Sequence, residues 1–129
     1  HVVTRRQRQM CIRDRAGRLD GMAVRVPTLN VSLVDMTLLL EQPVTVEGVH
    51  ESLSNAAHGD LQGVLAMNHL ALVSSDFNHL PYSCVVDTNH TRVLGPQLKL
   101  LAWYDNEWGF SHRMLDVAAY WMETLTPDA

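Results

Sequence analysis

Leu98-Lys-Leu-Leu-Ala-Trp-Tyr-Asp-Asn-Glu-Trp-Gly-Phe110 is the stretch on which the fold turns, because within it a strand pattern gives way to a helical one. Leu98–Tyr104 reads as a buried strand, and from Glu107 to about Leu125 apolar residues recur at helical spacing, with Trp108, Leu115, Ala118, Ala119 and Met122 on one stripe and Pro127 beyond the end. The polar residues between the two are Asp105 and Asn106. Either caps a helix, since both accept from free backbone N–H groups, and capping is the favoured reading of the junction taken by itself. An asparagine amide there also offers donor and acceptor together, which suits recognition of a carboxamide.

Upstream, the chain is well punctuated. Gly21–Val26 is a short apolar run stopped by Pro27 and reads as a strand with Arg25 set into it. Val31–Leu40 reads as a strand buried on both faces or nearly so, ended by Pro43. Thr45 is a good N-cap for a helix carrying Val46, Val49, Leu53, Ala56 and Ala57, with Glu47, His50, Glu51 and Asn55 outside and Gly59 as its stop. Leu61–Met67, Leu70–Ser75, Tyr82–Asp87 and Thr91–Leu94 are short strand candidates. Many neighbouring strands with few crossover helices predict an α+β domain: a mixed, largely antiparallel sheet with helices packed on one face. No Gly-rich strand-to-helix turn is present, so a dinucleotide-binding unit is not expected in this chain.

Composition narrows the function. The chain has 129 residues, 47% of them apolar and 19% charged, which excludes a disordered chain. No apolar run approaches a membrane span. Net charge is −4, but residues 1–18 hold Arg5, Arg6, Arg8, Arg13, Arg15 and Arg18 against one acid, Asp14. The other 111 residues carry four bases against thirteen acids, a balance of −9. A basic head on an acidic body fits a nucleic-acid arm or a transit peptide. Arg5-Arg-Gln-Arg-Gln-Met-Cys-Ile-Arg-Asp-Arg15 has no amphipathic period and resembles translated sequencing adapter, so residues 1–18 are expected to be foreign and residues 19–129 to be the domain.

Cations are scarce in that body. Arg25 in an apolar strand fits either an ion pair with an acid such as Asp35 or a bidentate grip on a phosphate; composition alone favours the ion pair. Asp76-Phe-Asn-His79 before Pro81 reads as a turn with a loop histidine. His1, His50, His58, His69, His90 and His112 share no metal spacing. Cys11 and Cys84 lack CxxC spacing, and Cys84, mid-strand, is expected to be a buried inert thiol.

Leu19-Asp-Gly-Met-Ala-Val-Arg-Val-Pro-Thr-Leu-Asn-Val-Ser32 resembles the strand pair that follows the catalytic region of the glyceraldehyde-3-phosphate dehydrogenase family. Trp103–Phe110, followed by Arg113 and Asp116, resembles the start of that family's C-terminal helix. The similarity covers Asp20 to about Met122. Within the family, Ser75–His79, Thr91–Gly95 after a Val-Asp pair, Trp108, and Phe110 in place of a tyrosine resemble the erythrose-4-phosphate branch.

The resemblance implies the same α+β fold, NAD as the cofactor of the complete enzyme and a phosphorylated aldehyde as substrate. On that branch the reaction is oxidation of D-erythrose 4-phosphate to 4-phosphoerythronate, a precursor of pyridoxal phosphate. Arg25 falls where the family binds substrate phosphate, Asn106 where it binds the nicotinamide carboxamide, and Phe110 beside the nicotinamide. A homotetramer is implied for the complete enzyme; the cysteine usage fits a reducing, cytoplasmic setting, and no nucleic-acid or membrane partner is expected. The alternatives are a glycolytic glyceraldehyde-3-phosphate dehydrogenase fragment and a non-catalytic binding module with a basic arm. Departures limit what this chain does: it has no Ser-Cys-Thr-Thr-Asn-type nucleophile segment, no general-base histidine at the matching place and no NAD domain. No catalytic residue is assigned, and the chain is expected to be inactive alone.

Overall fold

The computed structural model describes residues 17–125, so residues 1–16 of the basic head and Pro127 lie outside the described residues. The elements run β1 (Ser32–Leu39), α1 (Val46–His58), β2 (Leu65–Asn68), β3 (Cys84–Leu94), β4 (Gln97–Tyr104) and α2 (Trp108–Leu125), with a 3-10 turn at Ser74–Phe77. The sheet order is β1-β4-β3-β2. The β1–β4 and β3–β4 pairs are antiparallel and β2–β3 is parallel, so the sheet is mixed and the domain α+β.

Local chemistry explains the elements. Thr45 caps α1 by accepting from the Gly48 N–H at 3.1 Å, and Glu47 sits in the first turn, where a negative charge suits the helix dipole. The β3–β4 hairpin closes on two residues, Gly95 and Pro96. Gly95 has φ of 57°, and glycine at this first position is what a tight type II′ turn requires. The hairpin register jumps from Asp87↔Leu101 to Arg92↔Lys99, a bulge that places extra β3 residues opposite Leu100. The two strands expected at Tyr82–Asp87 and Thr91–Leu94 are therefore one bulged strand.

Strand alternation divides the core between the two sheet faces. Val86, Leu98, Leu100 and Ala102 pack with Val49 of α1 and Leu65 of β2. On the opposite face Val85 packs with Val31 and Phe77, and the Phe77 and Trp103 rings stack at 5.1 Å.

Several expectations are corrected. Gly21–Val26 forms no strand; no described strand lies beside it to share backbone hydrogen bonds, and Met22, Val24 and Val26 are exposed. Leu70–Ser75 is irregular, leading into the 3-10 turn, and Leu61–Val64 is a turn before the shorter β2. β1 is not buried on both faces: it is a sheet edge, and only Met36 and the following Leu40 reach the α1 core. α1 lies on the sheet, but the apolar stripe of α2 stays open, with Leu115 and Met122 exposed. The contacts described between α2 and the body come from its first turns. Gly109 is buried so close to Tyr82 that a Cβ would sit 2.7 Å from its carbonyl oxygen, and Arg113 Nη1 donates to the Gly63 carbonyl at 3.0 Å.

Candidate functional site at the junction of β4 and α2

Where β4 ends and α2 begins, Asp105 is only 3% exposed, although a buried carboxylate is costly unless hydrogen bonds replace its water. Its two oxygens divide the work. Oδ1 accepts from the backbone N–H groups of Glu107 (3.2 Å) and Trp108 (3.0 Å), capping α2. Oδ2 accepts from the Asn30 amide (2.9 Å) and the His79 backbone N–H (3.0 Å), two segments remote in sequence. Burial pushes the Asp105 carboxyl up, but the hydrogen bonds from Trp108, His79, Asn30 and Glu107 outweigh it and hold the group below the usual carboxylate range.

The two remote segments meet each other as well. The Asn30 amide also donates to Asn78 Oδ1 at 2.6 Å. Val31 (φ 68°) and His79 (φ 59°) are the non-glycine residues with left-handed backbone among the described residues. For a β-branched valine this costs on the order of 1–3 kcal/mol and persists only where the surroundings enforce it. Both lie at contacts to Asp105: Val31 follows Asn30, and His79 itself donates. Ring contacts close the arrangement, with His79 on Trp108 at 4.7 Å and Trp108 on His112 at 5.7 Å.

Asn106 is exposed and its side chain has no partner among the described residues, because Asp105 holds the capping N–H groups. Phe110, one turn further on, is 65% exposed. Arg25 is exposed and makes no ion pair among the described residues. The pair considered for it, with Asp35, does not form, since Lys99 Nζ takes Asp35 at 2.7 Å across the β1–β4 edge. Arg25 lies on the segment that Asn30 anchors, but no contact joins it to Asn106.

Cys84 is half-buried, and burial raises its thiol pKa, which suppresses the thiolate. His79 lies in a turn, as expected for a loop histidine. Among the described residues no three His, Cys, Asp or Glu side chains are grouped to hold a metal ion. Sequence reasoning missed Asn30 and the cross-chain half of Asp105's role. The signal available was a polar residue at each end of the resemblance, with nothing to pair them.

The chain belongs to the glyceraldehyde 3-phosphate dehydrogenase family, whose C-terminal domain model matches residues 6–106 and so begins inside the basic head. It is 58% identical over 102 residues to the chromosomal glyceraldehyde-3-phosphate dehydrogenase of Cupriavidus necator, covering 79% of this chain and 30% of that protein. The Pseudomonas aeruginosa glyceraldehyde-3-phosphate dehydrogenase is 53% identical over 103 residues, 80% of this chain and 30% of that one. For glyceraldehyde-3-phosphate dehydrogenase 2 of Staphylococcus aureus the identity is 50% over 103 residues, 79% and 29% of the two chains. The chain thus spans about 30% of the length of these curated relatives.

Proposed function

We propose that this chain is the substrate- and nicotinamide-facing part of an NAD-dependent phosphorylated-aldehyde dehydrogenase acting on glyceraldehyde 3-phosphate. The observation that carries it is the division at the junction: Asp105 absorbs the capping role, which leaves the adjacent Asn106 amide exposed and unpartnered, as a carboxamide-binding residue must be. NAD, when bound, supplies the hydride acceptor. Asn106 orients the nicotinamide through its carboxamide, and Phe110 offers an aromatic face beside it. Arg25, free of any acid among the described residues, grips the substrate phosphate with its planar fork.

The choice of the three-carbon aldehyde departs from the erythrose-4-phosphate branch that His79, Trp108 and Phe110 suggested. Relatives at 50–58% identity carry the name glyceraldehyde-3-phosphate dehydrogenase. The tilted His79–Trp108 ring contact gives two of those residues a packing role that needs no particular substrate. We further propose residues 19–129 as the domain segment and residues 1–18 as a foreign head, although the family model's match begins at residue 6. The same reading also carries a cytoplasmic homotetramer; no described helix is long and apolar enough to cross a membrane.

The test is a complete enzyme made by joining residues 19–125 to the upstream part of the Cupriavidus relative. Arg25→Ala should raise KM for the phosphorylated aldehyde roughly ten- to hundredfold, the equivalent of about 1.5–3 kcal/mol, with kcat nearly unchanged. Arg25→Lys keeps the charge, loses the fork and should fall between. Asn106→Ala should lower kcat through misorientation of the nicotinamide. If neither Arg25 variant moves KM, Arg25 does not bind phosphate.

A further inference from the structure

We infer that Asp105 is a positioning residue for the dehydrogenase reaction, setting where the Asn106 amide stands by tying the start of α2 to the Asn30 and Asn78–His79 segments; this rests on the reading of Asn106 given above. The geometry is specific to a carboxylate. Oδ1 faces two N–H donors at the start of α2, and Oδ2 faces two more from the Asn30 amide and the His79 backbone. Both oxygens must accept, and an ionised carboxyl does this while an amide does not.

Removing the second acceptor separates the two halves. In Asp105→Asn, the amide oxygen still caps the helix about as well as a carboxylate, since Asn and Asp are comparable N-caps. The new NH2 group then confronts the Asn30 NH2 and the His79 N–H, donor against donor. If the amide turns the other way, the latch survives and the cap is lost. Neither orientation satisfies all four donors. With the latch open, the left-handed backbone of Val31 and His79 keeps only the packing of Val31 on Phe77 and Val85, the Asn30–Asn78 hydrogen bond and the His79–Trp108 ring contact against its cost, and His79, the neighbour of the Trp108 ring, loses its backbone anchor. The junction bearing Asn106 is then no longer fixed relative to the rest of the sheet. An error of an ångström in such a contact is enough to depress turnover.

Two measurements test this. In the full 129-residue chain, amide hydrogen exchange should show the His79 N–H of Asp105→Asn losing about tenfold or more in protection, with Trp108 N–H changing much less. Equal loss at both sites means general loosening and overturns the inference, as does no change at either. In the complete enzyme described above, Asp105→Asn should lower kcat roughly ten- to hundredfold, with KM for the aldehyde within about twofold. Adding Asn30→Asp, which returns an acceptor opposite the new NH2, should recover part of kcat. A purely structural role predicts no such rescue, and unchanged kcat with a freed His79 amide overturns the inference. Asn106→Ala serves as the separate control: if it leaves kcat intact, the reading of Asn106 fails on its own, whatever Asp105→Asn does to exchange.

Discussion

Asp105 and Asn106 are neighbours with nearly interchangeable capping chemistry, and from sequence either was a sound cap for the last helix. The fold distinguishes them by direction: Asp105 turns inward to four N–H donors, and Asn106 is left facing solvent. What sequence could not supply was Asn30, 75 positions away, because a pairing over that distance has no periodicity to betray it. The Asp105 carboxyl is depressed in the folded chain, so it contributes stability above the ordinary unfolded aspartate value of about 3.9. That contribution is lost as pH falls through the lower folded value. Urea unfolding of the wild type and Asp105→Ala should therefore differ most above about pH 5, and the difference should shrink progressively towards pH 3. A difference independent of pH would mean that the anion itself is not what the four donors stabilise.

Elements were most legible where one local cause decides them. Thr45 and Gly59 bracket α1 correctly, and the strand at Leu98–Tyr104 is β4 almost to the residue. Expectations failed where a neighbour decides. Gly21–Val26 has strand chemistry but no adjoining strand among the described residues, and the apolar run of β1 lies at an edge that α1 only partly covers. The α2 stripe shows the same limit: periodicity reports which face wants burial, not what buries it. Its first turns do anchor that helix. Gly109 lies against the Tyr82 backbone, where an added Cβ would stand 2.7 Å from a carbonyl oxygen. Because that obstacle is backbone and not a flexible side chain, Gly109→Ala should destabilise the chain by about 1–3 kcal/mol despite alanine's better helix propensity. Chemical denaturation monitored by circular dichroism checks this; a gain in stability would show that α2 is not seated on Tyr82.

At the scale of the molecule, the chain has its own core between α1 and the sheet, yet it also presents Phe110, Met114, Leu115, Val117, Tyr120, Trp121 and Met122 on α2 as exposed apolar surface. A helix apolar over so much of its circumference is out of place on a solvated exterior. That agrees with a chain spanning about 30% of its curated relatives, and the proposed activity accordingly belongs to the complete enzyme. The most direct measurement is NADH formation by the enzyme rebuilt from residues 19–125 and the upstream part of the Cupriavidus relative. With NAD, inorganic phosphate and glyceraldehyde 3-phosphate, it should reduce NAD faster than with erythrose 4-phosphate, and the 129-residue chain alone should form no NADH. A rebuilt enzyme that folds and binds NAD but oxidises neither aldehyde, or prefers erythrose 4-phosphate, would contradict the account.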